Sequence, residues 1–232
     1  MNIKNYLRRK LIKITGYYFY KYSDLEIGTD LERDLILKLN INPRIMFDVG
    51  ANYGQTAISY RTIFKDAIIY SFEPFKETYK KLVENTKPFD IICEPIAFGN
   101  ITSTKNILLN NDSQLNSLNQ ESEQNDGETI DVQTIDYYCR EKNIDQIDVL
   151  KIDTEGYELN VLKGAENMIK NKSIKSILCE VSLSPKNTHN SKLVDIINFL
   201  FEHNYQMIGL YETNINFYKE GIVYSNVLFV AN

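Results

Sequence analysis

Residues 47–57 read FDVGANYGQTA, an apolar run that ends on an acid, Asp48, and passes at once into Gly50, Ala51, Asn52 and Gly54. The run before the turn suits a short buried strand, and QTAISYRTIF (55–64) after it has helical spacing. A strand, a glycine turn and a helix open an α/β sheet and place the turn at the strand's carboxyl end. Working outward, the same rhythm returns. AIIYSFE (67–73), FDIICEPIAFG (89–99), IDVLKIDTEG (147–156) and KSILCEVSL (175–183) read as further strands. Helical patterns lie among them: PFKETYKKLVENT (74–86), TIDYYCREKN (134–143), YELNVLKGAENMIKN (157–171) and SKLVDIINFLFEHN (191–204).

Apolar strands alternating with amphipathic helices predict an α/β fold, a mostly parallel sheet with helices on both faces. The tail differs, because YQMIGLY (205–211) and IVYSNVLFVAN (222–232) are strands with no helix between them. They predict an antiparallel C-terminal hairpin. TDLERDLILKL (29–39) predicts a helix entered through a Thr/Asp cap, with Leu31, Leu35, Ile36 and Leu39 inward and Asn42-Pro43 as its stop. Residues 100–128 are rich in Asn, Ser and Gln and end on the turn signal Asn125-Asp126-Gly127. We read them as an excursion at the top edge of the sheet, where loops of open α/β folds carry substrate contacts.

The chain has 232 residues, of which 43% are hydrophobic and 25% charged, as expected of a globular domain. We read residues 29–232 as a single domain and residues 1–28 as a basic, aromatic arm. A net charge of −5 speaks against duplex binding, so no nucleic-acid partner is expected. Cys93, Cys139 and Cys179 lie far apart without a CxxC pair, which predicts free thiols in a reducing compartment, and a cytoplasmic location. In MNIKNYLRRKLIKITGYYFYKY (1–22), Ile3, Leu7, Leu11 and Ile14 recur at helical spacing among Lys4, Arg8, Arg9, Lys10 and Lys13. Two readings stay open for this arm: a basic helix docked on its own domain, or a peripheral contact with an anionic membrane or a lipid-linked substrate.

The acid in the turn narrows the ligand. A pyrophosphate would call for G-x-G-x-x-G, whereas Gly50 and Gly54 are spaced G-x-x-x-G behind an acid that would repel a phosphate. A ligand with a cation and no phosphate fits better, and S-adenosylmethionine has an ammonium, a sulfonium and an unphosphorylated adenosine. Glu73 ends the second strand about 20 residues on, the place from which an acid accepts hydrogen bonds of a ribose diol. Small Ala97 and aromatic Phe98 suit a flat adenine. Asp153 and Glu155 stand at the tip of the fourth strand, and Gly156 permits a tight turn. Glu158 falls in the next helix's first turn, where a carboxylate complements the dipole. Glu180 interrupts the apolar run of the fifth strand, where an acid requires a partner or a purpose.

FDVGANYGQTA, YSFEPF, the long VQTIDYYCREKNIDQIDVLKIDTEGYELNVLKGAENMI and a closing NVLFV together resemble the FkbM family of S-adenosylmethionine-dependent methyltransferases, over roughly residues 45–230. The resemblance implies the class I, Rossmann-like methyltransferase fold: seven strands, the last antiparallel. It also implies O-methylation, with a hydroxyl of a sugar or glycan, or of a glycolipid, as acceptor. A small natural product is the alternative acceptor. The expected cofactor site is Asp48, Gly50, Ala51, Asn52, Gly54, Gln55, Thr56, Glu73, Pro74, Ala97, Phe98 and Asp153. Asp48 is expected to meet the cofactor's cationic portion and Glu73 its ribose.

Asp153, Glu155 and Glu180 are the expected catalytic carboxylates, since an alcohol needs a base within hydrogen-bond reach. Asp153 is favoured as that base because it ends the central strand, and His189 in SPKNTHNS is a fourth candidate. No ligand spacing with histidine supports a metal, and none is expected. A sugar dehydrogenase on a similar sheet and a non-catalytic binding module of this shape are the rivals. Asp48 and the glycine spacing speak against the first, and acids at three strand tips against the second.

Overall fold

The computed structural model describes residues 3–17, 20–110, 116–122, 127–216 and 221–232. Helix α1 (Ile3–Thr15) precedes one turn of helix α2 (Leu31–Arg33), which widens at once into a π-helical turn, Asp34–Lys38. The central sheet then builds from β1 (Ile45–Val49), β2 (Ile68–Phe72) and β3 (Ile92–Glu94), joined by α3 (Gln55–Ile63) and α4 (Lys76–Thr86). After a side excursion through β4 (Ala97–Phe98), β5 (Ser103–Ile107) and β6 (Glu128–Gln133), α5 (Ile135–Lys142) leads into β7 (Ile147–Ile152). Helices α6 (Glu158–Lys163) and α7 (Glu166–Lys170), then β8 (Ile174–Ser182), α8 (Leu193–Glu202), β9 (Tyr205–Asn216) and β10 (Gly221–Ala231) complete the chain.

The seven-stranded sheet has the order β3-β2-β1-β7-β8-β10-β9, parallel from β3 to β8, with β10 antiparallel to both its neighbours. The predicted mostly parallel sheet with an antiparallel C-terminal hairpin is thus the architecture of the chain. Chain order reverses between β1 and β7, and a crevice opens at such a point beyond the strands' carboxyl ends. Strand parity divides the core into two layers. Phe47, Val49, Leu150 and Ile152 pack on one face with Tyr138, Val161 and Ile177. Met46 and Val149 pack on the other with Leu35, Tyr60 and Tyr211.

Three expectations change in detail. The segment 89–99 is two strands, since Pro95 has no N–H to extend a ladder: β3 joins the main sheet, whereas β4 pairs with β6 in a separate sheet of order β4-β6-β5. The helix predicted over 157–171 divides at Gly164, where a Cβ would stand 2.0 Å from the carbonyl oxygen of Gly99. The helix predicted over 29–39 is capped by Asp30, whose side chain accepts from Arg33 N at 2.8 Å, but its π-helical turn buries Asp34 with Leu35 and leaves Ile36 39% and Leu37 54% exposed. Asn125 and Asp126 of the predicted turn lie outside the described residues.

Candidate active site

An open cavity lies over the carboxyl ends of β1, β2 and β7. The glycine turn makes its floor. Gly50 has a φ of +81°, and a Cβ there would lie 1.8 Å from the carbonyl oxygen of Asp153, so only glycine lets β1 and β7 close up at this point. The amides of the turn are already used: Gly50 N and Ala51 N both donate to Phe72 O at 3.0 Å, and Gly54 N donates to Ala51 O at 2.8 Å. The turn is a brace between strands and offers no cradle for phosphate.

Glu73 stands beside it, only 5% exposed, taking Asn52 N on one oxygen at 3.0 Å and Phe75 N on the other at 3.1 Å. Burial outweighs these two donors and pushes its carboxyl up to about 8. Each oxygen keeps a lone pair for a further donor. The side-chain oxygen of Asn52, also on the cavity wall, is buried without a hydrogen-bond partner among the described residues. Ile96, Ala97, Phe98 and Phe75 give the cavity an apolar side, and Phe98 stands edge-on to Phe72 at 4.6 Å. Asn116, Ser117 and Leu118 of the Asn-rich excursion line the cavity as well, which makes that segment part of the site.

Asp153, Thr154 and Glu155 form the rim. The carboxylate of Glu158, fully buried, shapes it: one oxygen takes Thr154 N at 3.0 Å and Gly156 N at 2.9 Å, the other takes Ser191 N at 2.8 Å. Beyond complementing a helix end, Glu158 therefore folds the rim and ties it to the loop before α8. The backbone bends through left-handed conformations at Glu155 (φ +52°) and Gly156 (φ +97°).

Oxygens of Asp153, Glu155 and Glu180 all lie within 4.8 Å of one another. The structure thus brings the three expected carboxylates together. Burial, with the charges of Asp153 and Glu155 beside it, pushes Glu180 up to about 8. Asn190 Nδ2 donates to Glu180 at 2.6 Å and is itself held by Asn187 Nδ2 at 2.8 Å, so the predicted loop contributes two asparagines to the site. His189 is exposed and lines neither this cavity nor the next.

Asp48 does not line the cavity, contrary to the anchor expected from its place before the turn. Parity along β1 sends Phe47 and Val49 to one face and Met46 and Asp48 to the other. There Asp48, fully buried, lies beside its register partner Lys151, whose Nζ is 3.3 Å from Asp48 and 3.2 Å from Asp153. Burial opposes the charge of Lys151, but Asp153 and then Asp48 outweigh it and raise the lysine's pKa. Burial pushes the Asp48 carboxyl up against the pull of Lys151. A lysine inside VLKID, in an otherwise apolar strand between two acids, is the sequence signal of this triad.

Gln55 and Thr56, also expected at the cofactor, line a second cavity, together with Gly28–Glu32, Tyr60, Lys151, Tyr211, Glu212 and Asn226. The Lys151–Asp153 pair joins the two cavities, one residue lining each. All three cysteines are free, Cys139 and Cys179 buried and Cys93 half-buried.

This sheet order, with the cavity at its reversal point, is that of the class I methyltransferases. The methyltransferase FkbM domain matches residues 48–207, and the chain belongs to that family. Hexuronic acid methyltransferase AglP of Haloferax volcanii is 25% identical over 167 residues, covering 72% of this chain and 68% of that protein. The crystal structure of methyltransferase FkbM from Methylobacillus flagellatus KT shares the fold with a TM-score of 0.55 at 18% identity. That match covers 91% of this chain and 48% of the other, so the chain spans about half the length of that relative. The matched domain is a methyltransferase domain, and S-adenosylmethionine is the cofactor expected of it. The site suits that cofactor: its turn amides are spent, a buried carboxylate and an unpartnered Asn52 oxygen face the cavity, and one wall is apolar.

Proposed function

We propose that the enzyme methylates a hydroxyl oxygen of a sugar or glycan, with Asp153, Glu155 and Glu180 managing the proton. The observation that carries this reading is the cluster itself, three carboxylates within 4.8 Å on the rim beside a second, polar cavity. The hexuronic acid methyltransferase adds a relative whose named substrate is a sugar acid. S-adenosylmethionine, when bound, supplies a methyl group on a positively charged sulfur. Glu73 and Asn52 hold its ribose side, Ala97 and Phe98 its base, and Asp153 its end nearest the rim.

Asp153, the member of the cluster on both the cavity wall and the Lys151 pair, accepts the hydroxyl proton at a carboxylate oxygen. Glu180 sits next to it with a pKa near 8, so one proton is held within the cluster at neutral pH without breaking it apart. Lys151 keeps Asp153 in position by an ion pair, and Asn190 does the same for Glu180 by a hydrogen bond. Glu32, Glu212 and Asn226 supply polar groups in the second cavity for the acceptor's other hydroxyls.

Mass spectrometry of glycans from cells with and without the protein tests the acceptor, a difference of one methylene being expected. Complementation by Asp153→Asn, Glu155→Gln and Glu180→Gln tests the mechanism, since each keeps shape and removes a proton acceptor. Asp153→Asn is expected to lose about 10²–10⁴-fold in methyl transfer, far more than it loses in affinity for S-adenosylhomocysteine by calorimetry. If all three variants transfer within about tenfold of the parent, carboxylate catalysis is wrong.

A further inference from the structure

We infer that α1 is a docking helix for an anionic membrane surface. Its apolar stripe faces outward. Ile3 is 75% exposed, Leu7 57%, Leu11 46% and Ile14 77%, whereas Ile12, on the opposite side of the helix, is half-buried. A helix docked on its own domain through that stripe, one of the two readings of the arm, would show the reverse. Lys10 is exposed beside the stripe, Arg9 and Lys13 are exposed on the faces away from it, and Arg8 turns back to lie 4.0 Å over the ring of Tyr20. Tyr6, Tyr17, Tyr20 and Tyr22 add rings about half or more exposed, the side chains that settle at the boundary of headgroups and acyl chains.

The charge of the chain is divided to match. Six of its 26 lysines and arginines and none of its 31 acids lie in residues 1–22, so a protein of net charge −5 carries its positive charge at one end. The acidic body is repelled by an anionic bilayer, and the arm is drawn to it. A nucleic acid would use the same basic residues but leaves a row of four exposed aliphatic side chains without a role. Insertion of that row into the acyl boundary, with the bases at the phosphates, satisfies both.

The last residues of the arm are fixed to the site. Arg33 donates to Glu26 O at 2.7 Å, and Asp34 accepts from Gly28 N at 2.9 Å, just where Gly28–Glu32 border the second cavity. Docking through α1 holds that cavity near a surface where a lipid-carried acceptor would reside.

Co-sedimentation of the full chain with phosphatidylcholine vesicles, with and without phosphatidylglycerol, tests the inference apart from any methyl transfer. Binding is expected at low salt to the anionic vesicles only. The triple change Arg9→Gln, Lys10→Gln, Lys13→Gln is expected to weaken it about a hundredfold. Leu7→Gln with Leu11→Gln is expected to weaken it at least about tenfold. Both variants should bind S-adenosylhomocysteine like the parent, which separates loss of docking from loss of fold. Equal sedimentation with neutral and anionic vesicles overturns the inference, as does absence of binding to either. Unchanged binding after the two leucine substitutions overturns it too, and binding of a short RNA alongside that result would assign the bases to nucleic acid instead.

Discussion

Glu73 meets two opposed demands. Its carboxylate must be charged to accept strongly from a ribose diol, yet burial pushes its pKa up to about 8 against the pull of Phe75 N and Asn52 N. Ligand hydroxyls that donate to it favour the ionised form, so binding releases a proton. The affinity for S-adenosylhomocysteine is therefore expected to rise several-fold between about pH 6 and pH 8 and then to level off. Calorimetry on Glu73→Gln should show weaker binding without that rise, and an equal pH slope in both proteins would remove Glu73 from the site. Glu155 shows strain of another kind. At φ +52° a glutamate costs roughly 1–2 kcal/mol that an asparagine largely avoids. Glu155→Asn is expected to keep or gain up to about 1 kcal/mol of stability while transfer falls at least about tenfold. Loss of stability with full activity would make Glu155 a structural residue only.

At the scale of elements, the pairing of β1 with β7 decides where charge can lie. Asp48 and Lys151 are register partners on one face, and Asp153 continues the ladder as its N–H donates to Val49 O at 3.0 Å. Lys151 thus ties a buried acid in the core, Asp48, to an acid on the rim, Asp153. Lys151→Met leaves Asp48 buried without its counter-ion, and breaking such a pair costs about 3–5 kcal/mol. In a domain of this size that lowers the melting temperature by roughly 6–20 °C. Adding Asp48→Asn removes the stranded charge and is expected to recover at least half of the loss. A double mutant no more stable than Lys151→Met alone would show that the pair is not the reason for the lysine. The same parity explains why the acid before the glycine turn misleads. Its position along the strand is at the site, but its side chain leaves through the other face.

For the whole molecule, the raised carboxyls shape stability against pH. Glu73 and Glu180 are held near 8 in the folded chain against 4.5 in the unfolded one, so between those values the folded state binds more protons. Stability against unfolding therefore declines as pH rises from about 4.5 to about 8, the reverse of an ordinary salt-bridged acid. S-adenosylhomocysteine at about a hundred times its Kd should raise the melting temperature by roughly 5–10 °C, and NAD should not. With the ligand concentration held constant instead, the shift is expected to be larger at pH 8 than at pH 6, because Glu73 makes Kd fall with rising pH. A ligand shift that shrinks with rising pH would contradict the role given to that carboxylate.

The sequence by itself determined the sheet, the hairpin, the glycine turn and the acids at three strand tips, because these follow from local periodicity and from residues that few other conformations accommodate. Glu73, Asp153 and Glu155, which it singled out, all line the cavity. Tertiary structure alone decided which face each side chain takes. Asp48 pairs with Lys151 because two strands about 100 residues apart meet in one register. Glu158 serves the rim because the loop before α8 brings Ser191 to it, and Asn190 reaches Glu180 for the same reason. Asn116, Ser117 and Leu118 reach the cavity because the excursion returns over the sheet. The outward apolar stripe of α1 belongs here as well, since helical spacing names the stripe and only packing shows what it leaves uncovered. Contacts between distant segments depend on closing long loops, and no local pattern records which of them close.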